Sequence, residues 1–312
     1  MQTTGGPSVL TIVDADVRAP RTGEVLLRQD AIGINFVDTM IRKGQYPVPL
    51  PAVPGFEAAG IVTKVGPGVE SLSVGDRVAY FFDQGAYATE KVISTSSLIR
   101  LPDDISNEVA ATFLAKGATA WMGLRALHDL KPAETVLILG ASGSVGSVLS
   151  RWARSLGADV VGVAGSLSKL DKAARGAHHA FHSQDPDLGD KLRHITPNGF
   201  DVVYDLVGQA TSSLAVGHVR DRGVVVAIGA ASGQTPSNYS GLAGRGVEVR
   251  SGGAPQFVHG RAVKVATEEL WQLVRTGVFD DLDVARYPFE EIVRVHQDID
   301  DRALDGLPVL MP

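Results

Sequence analysis

The stretch Thr135-Val-Leu-Ile-Leu-Gly-Ala-Ser-Gly-Ser-Val-Gly-Ser-Val-Leu-Ser-Arg-Trp-Ala-Arg-Ser-Leu-Gly157 decides how the middle of this chain folds. Its apolar start, Val136 to Leu139, is typical of a parallel strand that is covered on both faces. In the turn that follows, Gly143 allows the backbone to approach a phosphate, and Gly146 allows the next helix to pack closely on the strand. The N–H groups at the start of that helix, with the positive end of its dipole, would face the anion. The stretch therefore predicts a binding site for the pyrophosphate of a dinucleotide.

The surroundings of the turn support this interpretation. A second strand pattern, Asp159 to Ala164, follows about 20 residues later, as the dinucleotide-binding fingerprint requires. One position departs from G-x-G-x-x-G, because Ala141 occupies the place of the first glycine. A strand–helix turn that binds nothing is the alternative. We expect the cofactor to contact Ser142, Gly143, Ser144, Val145 and Gly146.

Length and charge limit the classes of protein to consider. The chain has 312 residues, which suggests about two domains. Its net charge of −6 argues against nucleic acid as the main partner. We expect no membrane span, because no apolar run reaches about 18 residues. We also expect no signal peptide, because the first residues lack a basic region followed by an apolar core, and so a cytoplasmic location.

Cysteine is absent from the sequence. Disulfides, zinc sites built from thiolates and a cysteine nucleophile are therefore excluded. Any hydride chemistry in this chain must work without a metal held by cysteine. The spacing of His178, His179 and His182 fits no metal-ligand pattern, so we expect them to be exposed structural histidines. We predict no metal site.

Two kinds of pattern divide the chain. Residues 1–100 contain short strand patterns separated by turn signals, which predict an all-β, barrel-like module. From the glycine-rich stretch onward, strand and helix patterns alternate, which predicts a parallel, doubly wound sheet and an α/β fold. Helices are predicted over Thr119–Leu130 and His259–Thr276. The predicted strands are Glu24–Arg28, Ala59–Val65, Arg77–Phe82, Tyr87–Ile93, Thr135–Leu139, Asp159–Ala164, Asp201–Leu206, Gly223–Ile228, Val247–Arg250 and Leu307–Met311.

The segment after the second strand of the dinucleotide unit indicates which cofactor binds. NAD sites usually place Asp or Glu there, to bind the ribose 2′-hydroxyl. Here the segment is Ala164-Gly-Ser-Leu-Ser-Lys169, which has two hydroxyls and a cation but no carboxylate. Such a segment suits an additional 2′-phosphate, so we predict NADPH, with Ser166 and Lys169 among its contacts. A solvated lysine at the start of a helix is the alternative for Lys169.

Several motifs together resemble a known family. They include Gly33-Ile-Asn-Phe-Val-Asp-Thr39, Pro54-Gly-Phe-Glu-Ala-Ala-Gly60, Val74-Gly-Asp-Arg-Val78, Lys116-Gly-Ala-Thr-Ala120 and Asp201-Val-Val-Tyr-Asp-Leu-Val-Gly208. With the glycine-rich turn, they resemble the zinc-independent quinone oxidoreductase (ζ-crystallin-like) branch of the medium-chain dehydrogenase/reductase superfamily. In zinc-dependent members a metal-binding histidine stands where this chain has Phe56. The neighbouring Glu57 is expected to be structural.

The resemblance implies two domains. A GroES-like β-barrel catalytic domain would comprise residues 1–117 and 253–312. A Rossmann domain with a doubly wound parallel sheet would comprise residues 118–252. The family binds its cofactor in the cleft between these domains. It is often dimeric through the edge strand of the Rossmann sheet, which implies a homodimer joined near Val247–Arg250.

The resemblance also implies roles for individual residues. Asn35 and Tyr46 would act on the substrate, although Tyr46 could instead be a core tyrosine. Asp38 could be a turn or cap residue, and Arg302 could be a surface charge. Lys116 could be a catalytic lysine, but its position before Gly117 favours helix packing or a surface role. Trp121 and Ser183 each replace a family tyrosine. The further cofactor contacts that the resemblance implies are Phe36, Asp38, Thr119, Trp121, Ser183, Gly229, Ala230, Ser251 and Arg302.

The function expected from these observations is hydride transfer from NADPH to a quinone or related conjugated carbonyl, without a metal. The cofactor would supply the difficult chemistry and the protein would orient it. A reductase of enone or alkenal double bonds on the same scaffold is one alternative. An NADPH-binding structural or regulatory protein with negligible turnover is another. The expected partners are a small-molecule substrate and a second copy of the chain.

Overall fold

The computed structural model describes residues 1–233 and 238–312. The strands are β1 Glu24–Gly33, β2 Glu57–Val65, β3 Arg77–Phe81, β4 Glu90–Ser94, β5 Ile99–Arg100, β6 Thr135–Leu139, β7 Asp159–Ala164, β8 His179–His182, β9 Phe200–Asp205, β10 Val219–Ala227, β11 Glu248–Ser251, β12 Val284–Pro288 and β13 Leu307–Met311. The helices are α1 Phe36–Arg42, α2 Asn107–Trp121, α3 Ser144–Ser155, α4 Leu170–Gly176, α5 Leu188–Ile195, α6 Ser212–His218, α7 Ala254–Phe257, α8 Arg261–Arg275 and α9 Ile292–Asp300. A π-helical segment, Met122–Leu127, continues α2.

The chain forms two compact units. The first comprises Met1–Ala115 and Asp283–Pro312, and the second comprises Lys116–Leu282. Among the described residues, no helix is both long and apolar enough to cross a membrane.

The first unit is built on a largely antiparallel sheet with the strand order β12-β13-β1-β2-β3-β5. Its central strand, β1, pairs with β2, with β4 through Glu24–Arg28, and with β13 through Ile32 and Gly33. Apolar side chains of these strands, including Leu27, Ile32 and Leu310, are fully buried in one core. The unit is the GroES-like module that the sequence predicts.

The second unit contains a parallel sheet with the order β11-β10-β9-β6-β7-β8. The chain starts at the centre with β6, fills one half outward through β7 and β8, and then fills the other half from β9. This is the doubly wound order of dinucleotide-binding folds. Val136 to Leu139 are completely buried, because helices cover both faces of a parallel sheet. The predicted fold class is confirmed.

The second boundary between the units follows Leu282, whereas the sequence predicted it after residue 252. Residues 253–282, which include α8, belong to the second unit and not to the first. Packing explains the difference, since a Cβ on Gly117 of α2 would lie only 2.6 Å from Leu270 Cδ1 of α8. Trp121 Nε1 also donates to Glu269 Oε1 at 3.2 Å. An amphipathic pattern shows that α8 has an apolar face, but it does not show which unit covers that face.

Several predicted elements have other bounds in the structure, and two of them show why. The helix predicted over Thr119–Leu130 is the last part of the longer α2 followed by the π-helical segment. The strand predicted from Tyr87 starts only at Glu90. Tyr87 lies in the preceding loop instead, where its N–H donates to the Pro54 carbonyl at 2.9 Å.

Candidate functional site

The glycine-rich turn between β6 and α3 has the geometry of an anion-binding site. The N–H groups of Gly140 and Ala141 donate to the Val163 carbonyl of β7, at 2.9 and 3.1 Å, and anchor the turn to the sheet. The first helical hydrogen bond of α3 runs from Ser147 N to Gly143 O at 2.8 Å. The N–H groups of Ser144 to Gly146 precede it, and such groups at a helix start are suited to bind phosphate oxygens.

Close packing explains the small residues of this turn. A Cβ on Gly146 would lie 2.1 Å from the Gly140 carbonyl oxygen, so no side chain fits there. Gly143, the N-cap of α3, is exposed. Ala141, at the first position of the fingerprint, is buried beside Gly162 of β7, where a Cβ would lie 2.9 Å from that of Ala141. Gly162 therefore leaves the space that the alanine methyl group occupies.

Apart from Thr119 and Trp121, the predicted cofactor contacts of the second unit lie at one edge of its sheet. In the strand register, Leu139 pairs with Asp205 and with Val163, and Ala227 pairs with Asp205 and with Ser251. The carboxyl ends of these strands are therefore level, and the following loops lie at the same edge, where α/β folds bind ligands. The predicted contacts at this edge are Ser142, Gly143, Ser144, Val145, Gly146, Ser166, Lys169, Ser183, Gly229, Ala230 and Ser251.

The loop after β7 gathers three of these residues. Ser166 Oγ lies 3.0 Å from Ser168 Oγ, and Lys169 N–H donates to the Ser166 carbonyl at 3.2 Å. Ser183, which follows β8, donates from Oγ to the Gly165 carbonyl at 3.3 Å. Three hydroxyls and a lysine thus belong to one loop cluster, and the segment from Ala164 to Lys169 contains no carboxylate. This donor set fits a phosphate group.

A buried carboxylate that the sequence did not single out organises the same edge. Asp205, at the end of β9, is completely buried. Its Oδ1 accepts from the N–H groups of Val207 and Gly208, each at 2.9 Å, and from Thr211 Oγ1 at 2.7 Å. The position of Asp205 at a strand end, before Leu-Val-Gly, is the signal that could have identified it. The hydrogen bonds of Asp205 hold the loop that follows β9, and Gly229 packs against Leu206 and Val207 of that loop.

Thr119 and Trp121 lie near the end of α2. Both side chains are half-buried. Glu269 of α8 accepts from Trp121 Nε1 at 3.2 Å and from Arg125 Nε at 3.1 Å. The indole of Trp121 is therefore held by a carboxylate that also pairs with Arg125. Contact of Thr119 and Trp121 with a cofactor stays a prediction.

In the first unit, Asn35 is the N-cap of α1 and Asp38 lies one turn further on. The Asn35 N–H donates to Asp38 Oδ2 at 2.8 Å, as part of a capping box. Asp38 is completely buried. The cap role that the sequence left open for Asp38 is therefore the one observed, and its contact with a cofactor stays a prediction.

Asp38 continues into a buried polar chain. Tyr87 donates from its hydroxyl to Asp38 Oδ2 at 2.9 Å, and the same hydroxyl lies 3.0 Å from His296 Nε2 of α9. Burial, assisted by the positive charge of Arg42, lowers the pKa of His296 to about 3. Burial and then the Asp38 charge raise the pKa of Tyr87 well above its usual value. Both groups are therefore neutral near pH 7. Because the phenol proton goes to Asp38, the imidazole donates from Nε2.

Glu57 of β2 is also completely buried. Its Oε2 accepts from Asn35 Nδ2 at 3.0 Å, and its Oε1 accepts from the Ala115 N–H at 2.5 Å. Glu57 therefore ties the start of α1 to α2, in agreement with the structural role expected for it.

The remaining predicted residues of the first unit are more exposed. Tyr46 is 49% exposed and Phe36 is 44% exposed, so the core alternative for Tyr46 is wrong. Arg302 follows α9 with a φ of +56° and is exposed. The roles of these three residues towards substrate and cofactor stay predictions.

Lys116 and the three histidines around β8 were expected to have no part in the site. Lys116 is buried in α2, so a surface role for it is wrong. His178 and His179 are exposed, whereas His182 is half-buried. In the part of the chain that the structure describes, no group of three His, Asp or Glu side chains is arranged to hold a metal ion.

Comparison with known proteins agrees with this architecture. The model of the alcohol dehydrogenase GroES-like domain matches residues 21–103, and that of the zinc-binding dehydrogenases matches residues 144–255. A quinone oxidoreductase of Salmonella typhimurium is 36% identical, over 99% of this chain and 97% of the relative. A 2-haloacrylate reductase of a Burkholderia species is 34% identical, over 99% of this chain and 96% of the relative. The crystal structure of Escherichia coli quinone oxidoreductase complexed with NADPH matches with a TM-score of 0.94 and 36% identity, over 100% of this chain and 98% of that one.

A GroES-like unit joined to a doubly wound dinucleotide-binding sheet defines a medium-chain dehydrogenase/reductase. Within that superfamily, the chain belongs to the zinc-independent quinone oxidoreductase family. The name of the second matching model refers to zinc, but this sequence has no cysteine and carries Phe56 beside Glu57.

Proposed function

We propose that the protein is an NADPH-dependent quinone oxidoreductase that reduces a quinone or related conjugated carbonyl without a metal. The observation that carries the proposal is the edge of the six-stranded sheet. There, the start of α3 supplies N–H donors for a pyrophosphate, and the loop of Ser166 and Lys169 supplies donors for a further phosphate. The names of the Salmonella and Escherichia coli relatives support the acceptor class.

Bound NADPH would supply the hydride, and the chain would bind and orient it. We assign the pyrophosphate to the turn of Ser142 to Gly146, because its donors precede the first helical bond of α3. We assign the 2′-phosphate to Ser166, Lys169 and Ser183. The other proposed cofactor contacts are Phe36, Asp38, Thr119, Trp121, Gly229, Ala230, Ser251 and Arg302.

Asn35 and Tyr46 are the residues that we propose to act on the acceptor. Each has an N–H or O–H donor that can polarise a carbonyl oxygen as negative charge develops on it. A quinone needs no positioned general acid, because its reduced oxygen is a stable phenolate that water can protonate. The rate advantage would come mainly from positioning.

Cofactor selectivity tests the assignment of Lys169. A Lys169→Ala variant should bind NADPH about 10- to 100-fold more weakly, because it loses a charged partner of the 2′-phosphate. Its affinity for NADH should stay the same, since NADH has no such phosphate. Lys191→Ala is the matched control, because Lys191 pairs with Asp185 on the outside of the same unit. Fluorescence titration measures both affinities, and tighter binding of NADH than of NADPH to the unmodified protein would contradict the proposal.

A panel of acceptors tests the reaction. NADPH oxidation should be fastest with quinones. The Burkholderia relative, a 2-haloacrylate reductase, favours double-bond reduction as the second candidate function. Saturation of enones or acrylates without quinone turnover would establish that candidate. Tight NADPH binding without turnover of any acceptor would favour a binding protein.

We further propose a homodimer in the cytoplasm. β11 is the end strand of the second sheet and its Val249 is 41% exposed, so the β11 strands of two copies could pair and continue the sheet. NADPH is a reductant of the cell interior, which supports the location. Analytical ultracentrifugation measures the assembly, and cell fractionation measures the location. A monomer at micromolar concentration would contradict the dimer.

A further inference from the structure

We propose that His182 is a further contact of the NADPH 2′-phosphate and donates a hydrogen bond to it from Nε2. The sequence predicted only a structural role for this histidine. The inference deepens the proposed function, and it rests on the assignment of the 2′-phosphate to the loop of Ser166 and Lys169.

The alternation of side chains along β7 and β8 places His182 on the same face of the sheet as that loop. In the strand register Ala164, at the end of β7, pairs with His182, at the end of β8, so both side chains lie on one face. Gly162 of β7 lies on this face too, where a Cβ would be 2.9 Å from the Ala141 Cβ and 3.8 Å from the Ala173 Cβ of α4. The His182 ring therefore lies on the side of the sheet that α4 and the glycine-rich turn cover.

The neighbouring side chains of β8 point to the opposite face. Phe181 packs against the core that contains Leu188 and Leu192 of α5. His179 lines a surface groove together with Phe181 and Lys191 of α5. His179 and His182 therefore belong to one short strand but face different helices.

The main chain next to His182 is fixed to the loop that follows β7. The Ser183 N–H donates to the Ala164 carbonyl at 2.8 Å, and Ser183 Oγ donates to the Gly165 carbonyl at 3.3 Å. The end of β8 is thus bonded to the first residue of the loop that we assign to the 2′-phosphate. A group bound in that loop would lie beside the His182 ring.

The two ring nitrogens of His182 have different surroundings. The ring is half-buried, and its Nδ1 is buried. Within residues 1–233 and 238–312, Nδ1 has no hydrogen-bond partner. A buried polar atom without a partner costs stability, and an apolar ring of the same shape would avoid that cost. Packing therefore does not explain a histidine here, and Nε2 is the nitrogen that remains for a ligand.

The hydroxyls of the loop cluster leave room for a further donor. Ser166 Oγ and Ser168 Oγ lie 3.0 Å apart, so one of them donates to the other. Ser183 Oγ has a single proton, which goes to the Gly165 carbonyl. A phosphate group presents three strong acceptor oxygens. An imidazole N–H from His182 would add a donor that the hydroxyls do not supply.

A carboxylate in the turn after β8 could compete for the imidazole, but it is already engaged. Asp185 accepts from Lys191 Nζ at 2.6 Å and from the Asp187 N–H at 3.0 Å. These two bonds lower the pKa of Asp185. Because Lys191 belongs to α5, Asp185 is held towards that helix, whereas His182 faces α4.

Two variants of His182 separate the donor from the ring. His182→Phe keeps an aromatic ring but removes both nitrogens, and should bind NADPH about 10-fold more weakly. Its affinity for NADH should stay within about twofold, because NADH has no 2′-phosphate to lose a hydrogen bond. His182→Gln keeps an N–H donor and should recover most of the NADPH affinity. Thermal stability of His182→Phe should not fall, since Nδ1 has no partner to lose.

His179→Phe is the matched control, because it makes the same exchange on the opposite face of β8. Fluorescence titration should show unchanged affinities of this variant for NADPH and NADH. An unchanged NADPH affinity of His182→Phe would overturn the proposal. Equal weakening of NADPH and NADH, or equal weakening by His179→Phe, would also overturn it, since either result reports a general effect on the strand.

A spectroscopic readout detects the contact directly. The ring 15N signal of His182 Nε2, assigned with His182→Phe, should shift when 2′,5′-ADP is added to the unmodified protein. It should stay in place with 5′-AMP, which has no 2′-phosphate. Equal shifts with the two nucleotides would exclude a contact with the 2′-phosphate.

The Lys169→Ala variant distinguishes failure of this inference from failure of the proposed site. If Lys169→Ala weakens NADPH binding and His182→Phe does not, only the role of His182 is wrong. If neither variant weakens it, the assigned 2′-phosphate site is wrong and the role of His182 fails with it. Absence of quinone turnover would contradict the proposed reaction alone, because none of these experiments measures turnover.

Discussion

At the scale of single residues, the first unit carries a continuous chain of buried polar groups. It runs from His296 through Tyr87 and Asp38 to Asn35, and on to Glu57. Buried polar groups are expensive unless they are hydrogen-bonded, so each member fixes the next. The consequence for function is that Asn35, the half-buried member of this chain, has its backbone held by Asp38 and its side chain held by Asp38 and Glu57.

The titration of His296 should make the stability of the protein depend on pH. Burial lowers the pKa of His296 to about 3 in the folded protein, against an ordinary value of 6.5. The unfolded chain therefore takes up the proton first. The contribution of neutral His296 to the unfolding free energy is complete above pH 6.5 and is lost as the pH falls towards 3. At pH 5 the loss is about 2 kcal/mol of unfolding free energy.

A His296→Gln variant tests this prediction, because glutamine can donate to Tyr87 but does not titrate. Urea unfolding at pH 8 and pH 5 should show a drop that is about 2 kcal/mol smaller in the variant than in the unmodified protein. The comparison removes the contribution of carboxylates that titrate in both proteins. Equal drops in the two proteins would mean that His296 is not held neutral by burial.

At the scale of elements, β6, the turn and α3 form the part of the structure that local sequence determines most directly. The predicted strand Thr135–Leu139 is confirmed residue by residue. The departure at Ala141 is explained by its neighbour, since Gly162 of β7 leaves space for the methyl group. The small residues at positions 141 and 162 are therefore matched in size, and together they set how closely the turn packs on the sheet.

The close contact between positions 141 and 162 predicts what happens when the alanine and the glycine exchange places. Gly162→Ala should lower the unfolding free energy by about 1–3 kcal/mol, because its methyl group would overlap with that of Ala141. Adding Ala141→Gly removes the overlap and should restore more than half of the loss. Ala141→Gly alone is the control for the added flexibility of the turn. Denaturant unfolding measures all three variants, and a double variant no more stable than Gly162→Ala would rule out the contact as the cause.

The buried polar chain shows where prediction from sequence stops. Strands follow from periodicity and from glycine and proline within a few residues, and each of the ten predicted strands overlaps an observed one, whereas β5, β8 and β12 were not predicted. Tyr87 and His296, by contrast, are separated by 209 positions, and no local pattern links them. Asp38 could be recognised as a possible cap, because that role depends on its immediate neighbours. Its bond to Tyr87 depends on how the whole first unit folds.

At the scale of the whole molecule, the first unit is assembled from both ends of the chain. Its N-terminal part supplies β1 to β5, and its C-terminal part supplies β12, α9 and β13. The strand pattern at Leu307–Met311 was predictable, and the observed β13 confirms it. Its pairing with Ile32 of β1 was not, because antiparallel pairing across the entire chain leaves no local signal. The same limit explains the misplaced boundary after residue 252.

This organisation predicts that the C-terminal segment is essential to the first unit but not to the second. Deleting residues 283–312 removes β13 and α9, with the completely buried Val309, Leu310 and Val295, and exposes the end of β1. The second unit keeps its own sheet and core, which lie within Lys116–Leu282. Limited proteolysis with mass spectrometry should therefore degrade residues 1–115 and leave a resistant fragment close to 116–282. Deletion of Pro312 alone, which is exposed, should leave both units resistant. Degradation of both units together would show that they do not fold independently.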